Sequence, residues 1–172
     1  MVPLTLRGKA LAWLAQREHS KLELQQKLER YAQRVQANPD DIAPVIDALE
    51  AAGHLSETRF IESRVNARLS RFGNRRIEQE LRAKGVAPDE TLRSQLRDSE
   101  LMRARRVFEA KFGRQGDRDS AESSHPASKP SAQLRARQAR FLAARGFSAA
   151  TVAQVLKGAG VAEEASEEEE VG

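Results

Sequence analysis

Cysteine is absent from this 172-residue chain, which excludes disulfides and thiolate metal sites. Aromatic residues make up only 5%, with one Trp and one Tyr, too few for most β-sandwiches or barrels. No apolar run approaches the roughly 18 residues needed to cross a bilayer, so no membrane association is expected. At the N-terminus, Arg7 and Lys9 stand where a secretory signal would need its apolar stretch, so a cytoplasmic location is expected. What the chain does have is Leu, Ile, Val, Ala and six Phe, within a hydrophobic fraction of 40% that is too large for a disordered polymer. Helices pack such residues well.

The net charge of +4 hides an asymmetry. Glu163, Glu164 and Glu167 to Glu170 place six acids in the last ten positions. Without them 29 basic residues face 19 acidic ones, a body of about +10. A basic body with an acidic tail points to a polyanionic or acidic partner, partly screened by the tail. Charged helix faces with a solubilising tail explain the same composition without a partner.

Proline and glycine divide the chain into helices. Leu11, Trp13 and Leu14 recur at helical spacing before a break near His19-Ser20. Ser20 and Glu23 then form a capping box ahead of Leu24, Leu28, Tyr31 and Val35. Asn38-Pro39-Asp40-Asp41 is a second start signal, followed by Ile42, Val45, Ile46 and Leu49 up to Gly53. A further stripe runs from Phe60 and Ile61 through Val65 and Leu69 to Phe72, ending at Gly73. Asn74 to Gly85 carries Ile77 and Leu81, and Pro88-Asp89-Glu90 opens a helix through Leu92 and Leu96. Another helix is expected over about Asp98 to Phe112, and a last pair holds Phe141, Leu142, Phe147, Val152, Val155 and Leu156. No alternating segment of useful length occurs, so the fold class is all-α.

Three places share one local grammar: a segment containing Arg, a short break, then a helix with apolar residues four apart. They are Leu14 to Ser20 leading to Leu24 and Leu28, Arg68 to Gly73 leading to Ile77 and Leu81, and Leu142 to Ser148 leading to Val152 and Leu156. The chain therefore reads as tandem three-helix repeats in an elongated, curved, modular body. Residues 1–54 form the first repeat, 55–112 the second with a following helix, 113–131 a flexible linker, 132–160 a third and truncated repeat, and 161–172 an acidic disordered tail.

Arg17-Glu18-His19-Ser20-x-x-Glu23-Leu24-x-x-Lys27-Leu28 resembles the opening of the RecX regulatory proteins. So do Gly53-His54-Leu55-Ser56-Glu57-x-Arg59-Phe60 and Gly73-x-x-Arg76-Ile77-x-x-Glu80-Leu81-x-x-Lys84-Gly85. Arg140-Phe141-Leu142-x-x-Arg145-Gly146-Phe147-Ser148 completes an ordered set that spans most of residues 5–158. The resemblance implies a bacterial protein of tandem three-helix repeats that binds RecA, above all its filament on single-stranded DNA. It implies that such a protein lodges in the filament groove and dampens ATP hydrolysis, strand exchange and the stimulated cleavage of the LexA repressor.

Little in the chain suits catalysis. His19, His54 and His125 are far apart, with no His-x-x-x-His pair, no Gly-x-Ser-x-Gly elbow and no phosphate-binding Gly-rich loop. Helix-dipole complementarity explains Asp40-Asp41 without a cation. No enzyme, cofactor or metal is expected. The informative constellation is basic. Arg64, Arg68, Arg71 and Arg75 fall at i, i+4, i+7 and i+11, and Arg75 and Arg76 open the helix after Gly73. Arg135, Arg137, Arg140 and Arg145 form a second cluster near Phe141 and Phe147. Guanidinium forks at one junction suit phosphates and carboxylates. A third set, Arg103, Arg105 and Arg106, reads as a surface stripe.

Three functions fit these clusters. One is a module that grips a protein–nucleic acid filament, with weak contact to the phosphate backbone. Another is a direct, sequence-independent DNA-binding helical protein whose break-and-helix units act like helix-turn-helix elements; unpaired bases could stack on Phe141 and Phe147, but their place in the repeat favours core packing. The third is a helical scaffold with no nucleic acid. Few side chains after the breaks suit base edges, Gln25, Gln26 and Asn74 being the candidates. A monomeric partner of RecA is the expectation carried forward.

Overall fold

The computed structural model describes residues 4–113 and 132–165. Of the linker expected at 113–131, Gly113 alone falls within them, as the last residue of a π turn, and 114–131 and the tail beyond 165 lie outside. Every regular element among the described residues is helical, as the periodicity requires. The elements are α1 (Leu6–Leu14), α2 (Lys21–Val35), a 3-10 turn (Pro39–Asp41), α3 (Ile42–Ala51), α4 (Glu57–Leu69), α5 (Asn74–Arg82), α6 (Glu90–Phe108), a π turn (Glu109–Gly113), α7 (Ala132–Ala144) and α8 (Ala149–Ala165).

Local chemistry sets the helix starts. Thr5 Oγ1 accepts from the Gly8 N–H at 3.1 Å, Ser20 Oγ from Glu23 at 3.1 Å and Asp89 Oδ1 from Leu92 at 2.7 Å. Each satisfies one of the N–H groups that a helix leaves unpaired in its first turn, worth about 1 kcal/mol. Asn38 caps the 3-10 turn in the same way, with Pro39 at its first position, where no N–H is needed.

The helices divide into two compact units, Met1–Ala67 with Gln79–Pro88, and Arg68–Glu78 with Asp89–Gly172. In the first, α1, α2 and α3 bury Leu6, Ala10, Leu24, Leu28, Tyr31, Ile42, Ile46 and Leu49 around one core. Leu24, Leu28, Tyr31 and the half-buried Val35 are the α2 stripe expected from spacing. The Tyr31 hydroxyl donates to the Leu4 carbonyl at 2.7 Å, so the one polar atom on that ring is satisfied.

In the second unit, the C-terminal half of α6 supplies Ala104 and Val107 to a core shared with Leu142, Phe147, Val152 and Val155 of the α7–α8 hairpin. The α7–α8 hairpin thus completes its packing with α6. Two expectations need correction here. The break between Arg97 and Asp98 does not occur, because α6 is one helix from Glu90 to Phe108. Its inward positions are Leu96, Glu100, Arg103, Ala104 and Val107, so two charges interrupt a stripe that is geometrically continuous. The chain also stays helical to Ala165, into the segment assigned to the acidic tail.

Candidate functional site

The sequence motifs of the first unit resolve into structural contacts. Ser20 caps α2, and Arg17 pairs with Glu23 through two guanidinium–carboxylate contacts, one of them 3.2 Å. Lys84 lies 3.7 Å from the same carboxylate. These cations, Arg17 foremost, hold the Glu23 carboxyl at about 2, well below the usual range. Arg59 bonds Glu18 at 2.7 Å and donates to the carbonyls of Gly53 at 2.9 Å and His54 at 3.1 Å, tying off the end of α3.

His19 is 1% exposed. Its Nδ1 lies 2.9 Å from the Arg17 carbonyl and its Nε2 2.9 Å from Lys27 Nζ. A lysine ammonium only donates, so Nε2 accepts and Nδ1–H donates to the carbonyl, which fixes a neutral ring. Burial, aided by the Arg17 and Lys27 charges, lowers the His19 pKa. Lys27 sits 4.4 Å from the Trp13 ring centroid. His19 is thus a buried hydrogen-bonding residue, while His54 lies exposed in the turn after α3 and His125 falls outside the described residues.

The second unit brings together the two glycine breaks that the sequence placed far apart. Gly73 N–H donates to the Arg145 carbonyl at 2.9 Å and Arg75 N–H to the Gly146 carbonyl at 3.1 Å. A Cβ on Gly73 would lie 2.3 Å from the Phe147 nitrogen. One on Gly146, at φ +84°, would lie 2.6 Å from both N and Cβ of Arg76. Only glycine permits this backbone approach.

Beneath the junction lies a buried polar network. Glu100 accepts from the Asn74 N–H at 3.0 Å and from the Ser148 and Thr151 hydroxyls at 2.8 Å each. Its carboxylate therefore serves the starts of α5 and α8 at once, where the helix dipoles favour negative charge. Arg103 donates to the Phe72 carbonyl at 2.7 Å, the Leu96 carbonyl at 2.9 Å, Ser99 Oγ at 3.2 Å and Asn74 Oδ1. Arg103 is 7% exposed, which corrects its reading as part of a surface stripe. Burial pushes its pKa down, and the Glu100 charge opposes that.

The junction gathers cations. Arg68, Arg71 and Arg76 stand 5.5, 5.9 and 5.2 Å from the Phe72 ring centroid, and Arg145 lies 3.9 Å over Phe141. Alongside runs a cleft of about 270 Å³ lined by Ser70, Arg71, Arg106, Val107, Ala110, Lys111, Phe141 and Arg145. Four of its eight lining residues are cations and none is acidic. No ion pair joins Arg71, Arg106, Lys111 or Arg145 to an acid among the described residues. Solvent-accessible guanidinium groups with no carboxylate partner among the described residues suit an incoming phosphate or carboxylate.

Of the expected residues, the structure places Arg71 and Arg145 on one cleft and Arg68, Arg71 and Arg76 around one ring. Arg75 is exposed on α5 beside them, its backbone engaged with Gly146. Arg64 belongs to the first unit, 5.8 Å from the Phe60 ring. Arg135, Arg137 and Arg140 are exposed on α7 and line no part of the cleft. Sequence reasoning missed Arg106 and Lys111 as members of the cleft. Only the π turn after α6 carries Lys111 to its rim, and no sequence signal marks a π turn. Stacking of bases on the aromatics finds little room, since Phe147 is 1% exposed and Phe141 packs edge-on against Phe112 at 5.1 Å.

Comparison with known proteins gives a consistent result. A family model described as "RecX, second three-helix domain" matches residues 56–90. The chain is 41% identical over 159 residues to Regulatory protein RecX of Ralstonia nicotianae, covering 91% of this chain and 89% of that protein. It is 43% identical over 147 residues to the protein of that name from Herminiimonas arsenicoxydans, covering 84% and 86%. With the Leptothrix cholodnii protein it shares 43% over 156 residues, covering 90% and 88%. The crystal structure of RecX from Lactobacillus salivarius superposes with a TM-score of 0.66 at 17% identity, over 89% of this chain and 93% of that one, a likeness of fold.

Proposed function

Because the chain belongs to the RecX family of regulatory proteins, we propose that it binds RecA and the filament RecA forms on single-stranded DNA. On this reading it modulates, mostly by inhibition, the filament's recombinase and ATP-hydrolysis activities and its stimulation of LexA cleavage. It does so by occupancy, as a cytoplasmic monomer without a cofactor and without making or breaking bonds. Contacts with neighbouring filament subunits would block substrates sterically and bias the filament between active and inactive states.

The observation that carries this reading is the cation-lined cleft of the second unit. Arg71 and Arg145 flank the backbone junction at Gly73 and Gly146, Arg106 and Lys111 join them from α6 and the π turn, and none of the four has an acidic partner among the described residues. Arg68, Arg75 and Arg76 extend the surface. Such a surface meets an acidic protein face, with phosphate contact as a secondary term. Direct DNA binding as the main activity is the less favoured reading, because guanidinium groups stand over the rings of Phe72 and Phe141 that would serve as stacking platforms.

The test is inhibition of RecA ATP hydrolysis on single-stranded DNA by the native chain and by an Arg71→Glu/Arg106→Glu/Arg145→Glu variant, beside a DNA-only binding control. The variant should keep its helical circular dichroism and need about tenfold more protein for half-inhibition. Unchanged inhibition would remove this surface. Equal binding to naked oligonucleotide and to filament would favour the direct DNA reading.

A further inference from the structure

The cleft has an anionic counterpart in the same chain. We propose that the C-terminal acidic segment, Glu163 to Glu170, docks in the Arg71–Arg106–Lys111–Arg145 cleft of its own molecule and occupies it until an anionic partner displaces it.

The path of α8 makes this possible. Phe141 of α7 packs on Phe112, and seven residues later Ser148 reaches Glu100, so α7 runs against α6. α8 then starts beside Glu100 through Thr151, and its Val152 and Val155 enter the core with Ala104 and Val107. α8 therefore runs in the same direction as α6. With about 1.5 Å rise per residue, Val161 comes about level with Ala110 along the α6 axis, although no α8 residue lines the cleft itself. The acidic run begins there, and the seven residues after Ala165 can reach about 24 Å if extended.

Charge favours the same contact. Four cleft cations with no acidic partner among the described residues are complementary in charge to a segment with six carboxylates and no cation. Acids at the C-terminal end of a helix also oppose its dipole, and a cationic site beside that end offsets the opposition. Competition between this segment and a partner rests on the cleft being the filament-binding surface. The docking itself does not.

Arginine modification by phenylglyoxal, read residue by residue by mass spectrometry on the full-length chain, tests the docking without any partner. The native chain is compared with a variant carrying Gln at Glu163, Glu164 and Glu167 to Glu170. At low ionic strength Arg71, Arg106 and Arg145 should react about fivefold more slowly in the native chain, while Arg135 and Arg137 react alike in both. The difference should close near 1 M salt, where screening reaches about 3 Å. Adding a hexaglutamate peptide to the variant should restore protection at the same three arginines. Equal rates at the cleft, protection spread equally over Arg135 and Arg137, or protection lost on dilution would each overturn docking within one chain. If docking stands while the cleft arginines prove irrelevant to filament inhibition, the functional reading fails and this one survives.

Discussion

At the scale of single residues, several charges that looked like surface chemistry hold the fold together. Arg103 satisfies two carbonyls and the Asn74 side chain in a largely buried site. Arg103→Met fills similar volume but leaves those acceptors unpaired and Glu100 buried without its nearby cation. The expected loss is about 3 kcal/mol or more by urea unfolding; a loss below about 1 kcal/mol would contradict the network. Acid should loosen the first unit in two stages. The His19 pKa is lowered in the folded state, so the unfolded chain takes up the proton first and stability falls as pH drops below the ordinary value of 6.5. Glu23 is held at about 2 against 4.5, so the stability it gives above 4.5 disappears as pH falls from there toward 2. His19→Gln should flatten the first stage in unfolding midpoints measured between pH 7 and 5; an unchanged slope would clear His19 of the role.

At the scale of elements, starts and stops were legible in sequence wherever a cap or a glycine enforces them. Ser20, Asn38 and Asp89 cap the helices or turns expected to begin there. The continuity of α6 was not legible, since Glu100 and Arg103 occupy inward positions that a hydrophobic pattern counts as solvent. Nor could the sequence show that the breaks at Gly73 and Gly146 meet, because the 72 residues of intervening chain carry no trace of the pairing. Two glycine substitutions separate these cases. Gly73→Ala drives a Cβ into the 146–147 backbone and should destabilise by about 2 kcal/mol or more. Gly158→Ala, inside α8 with nothing within 4 Å of the new carbon, should stabilise by about 0.5–1 kcal/mol. Thermal unfolding of the two variants checks both signs.

At the scale of the molecule, the recurring grammar of break and helix reflects a shared way of packing. α1, α2 and α3 close one core, and α7 and α8 close another on α6. The candidate site was half legible for the same reason. Arg71 and Arg145 flank breaks that punctuation reveals, whereas Arg106 and Lys111 join them only through tertiary packing and a π turn. The motifs that carried the family resemblance are mostly internal ties such as Arg17–Glu23 and Arg59–Glu18, while the proposed contact surface lies beside the glycine junction. The proposed action by occupancy would use both features: a close-packed backbone junction and solvent-accessible cations with no acidic partner among the described residues.

The central claim is that this cleft grips the RecA filament, and the most direct measurement is filament binding of the native chain and of Arg71→Glu/Arg106→Glu/Arg145→Glu across a salt titration. The account predicts weaker binding by the variant at low salt, a shallower salt dependence, and convergence of the two at high salt. Identical binding curves for both chains at every salt concentration would contradict it.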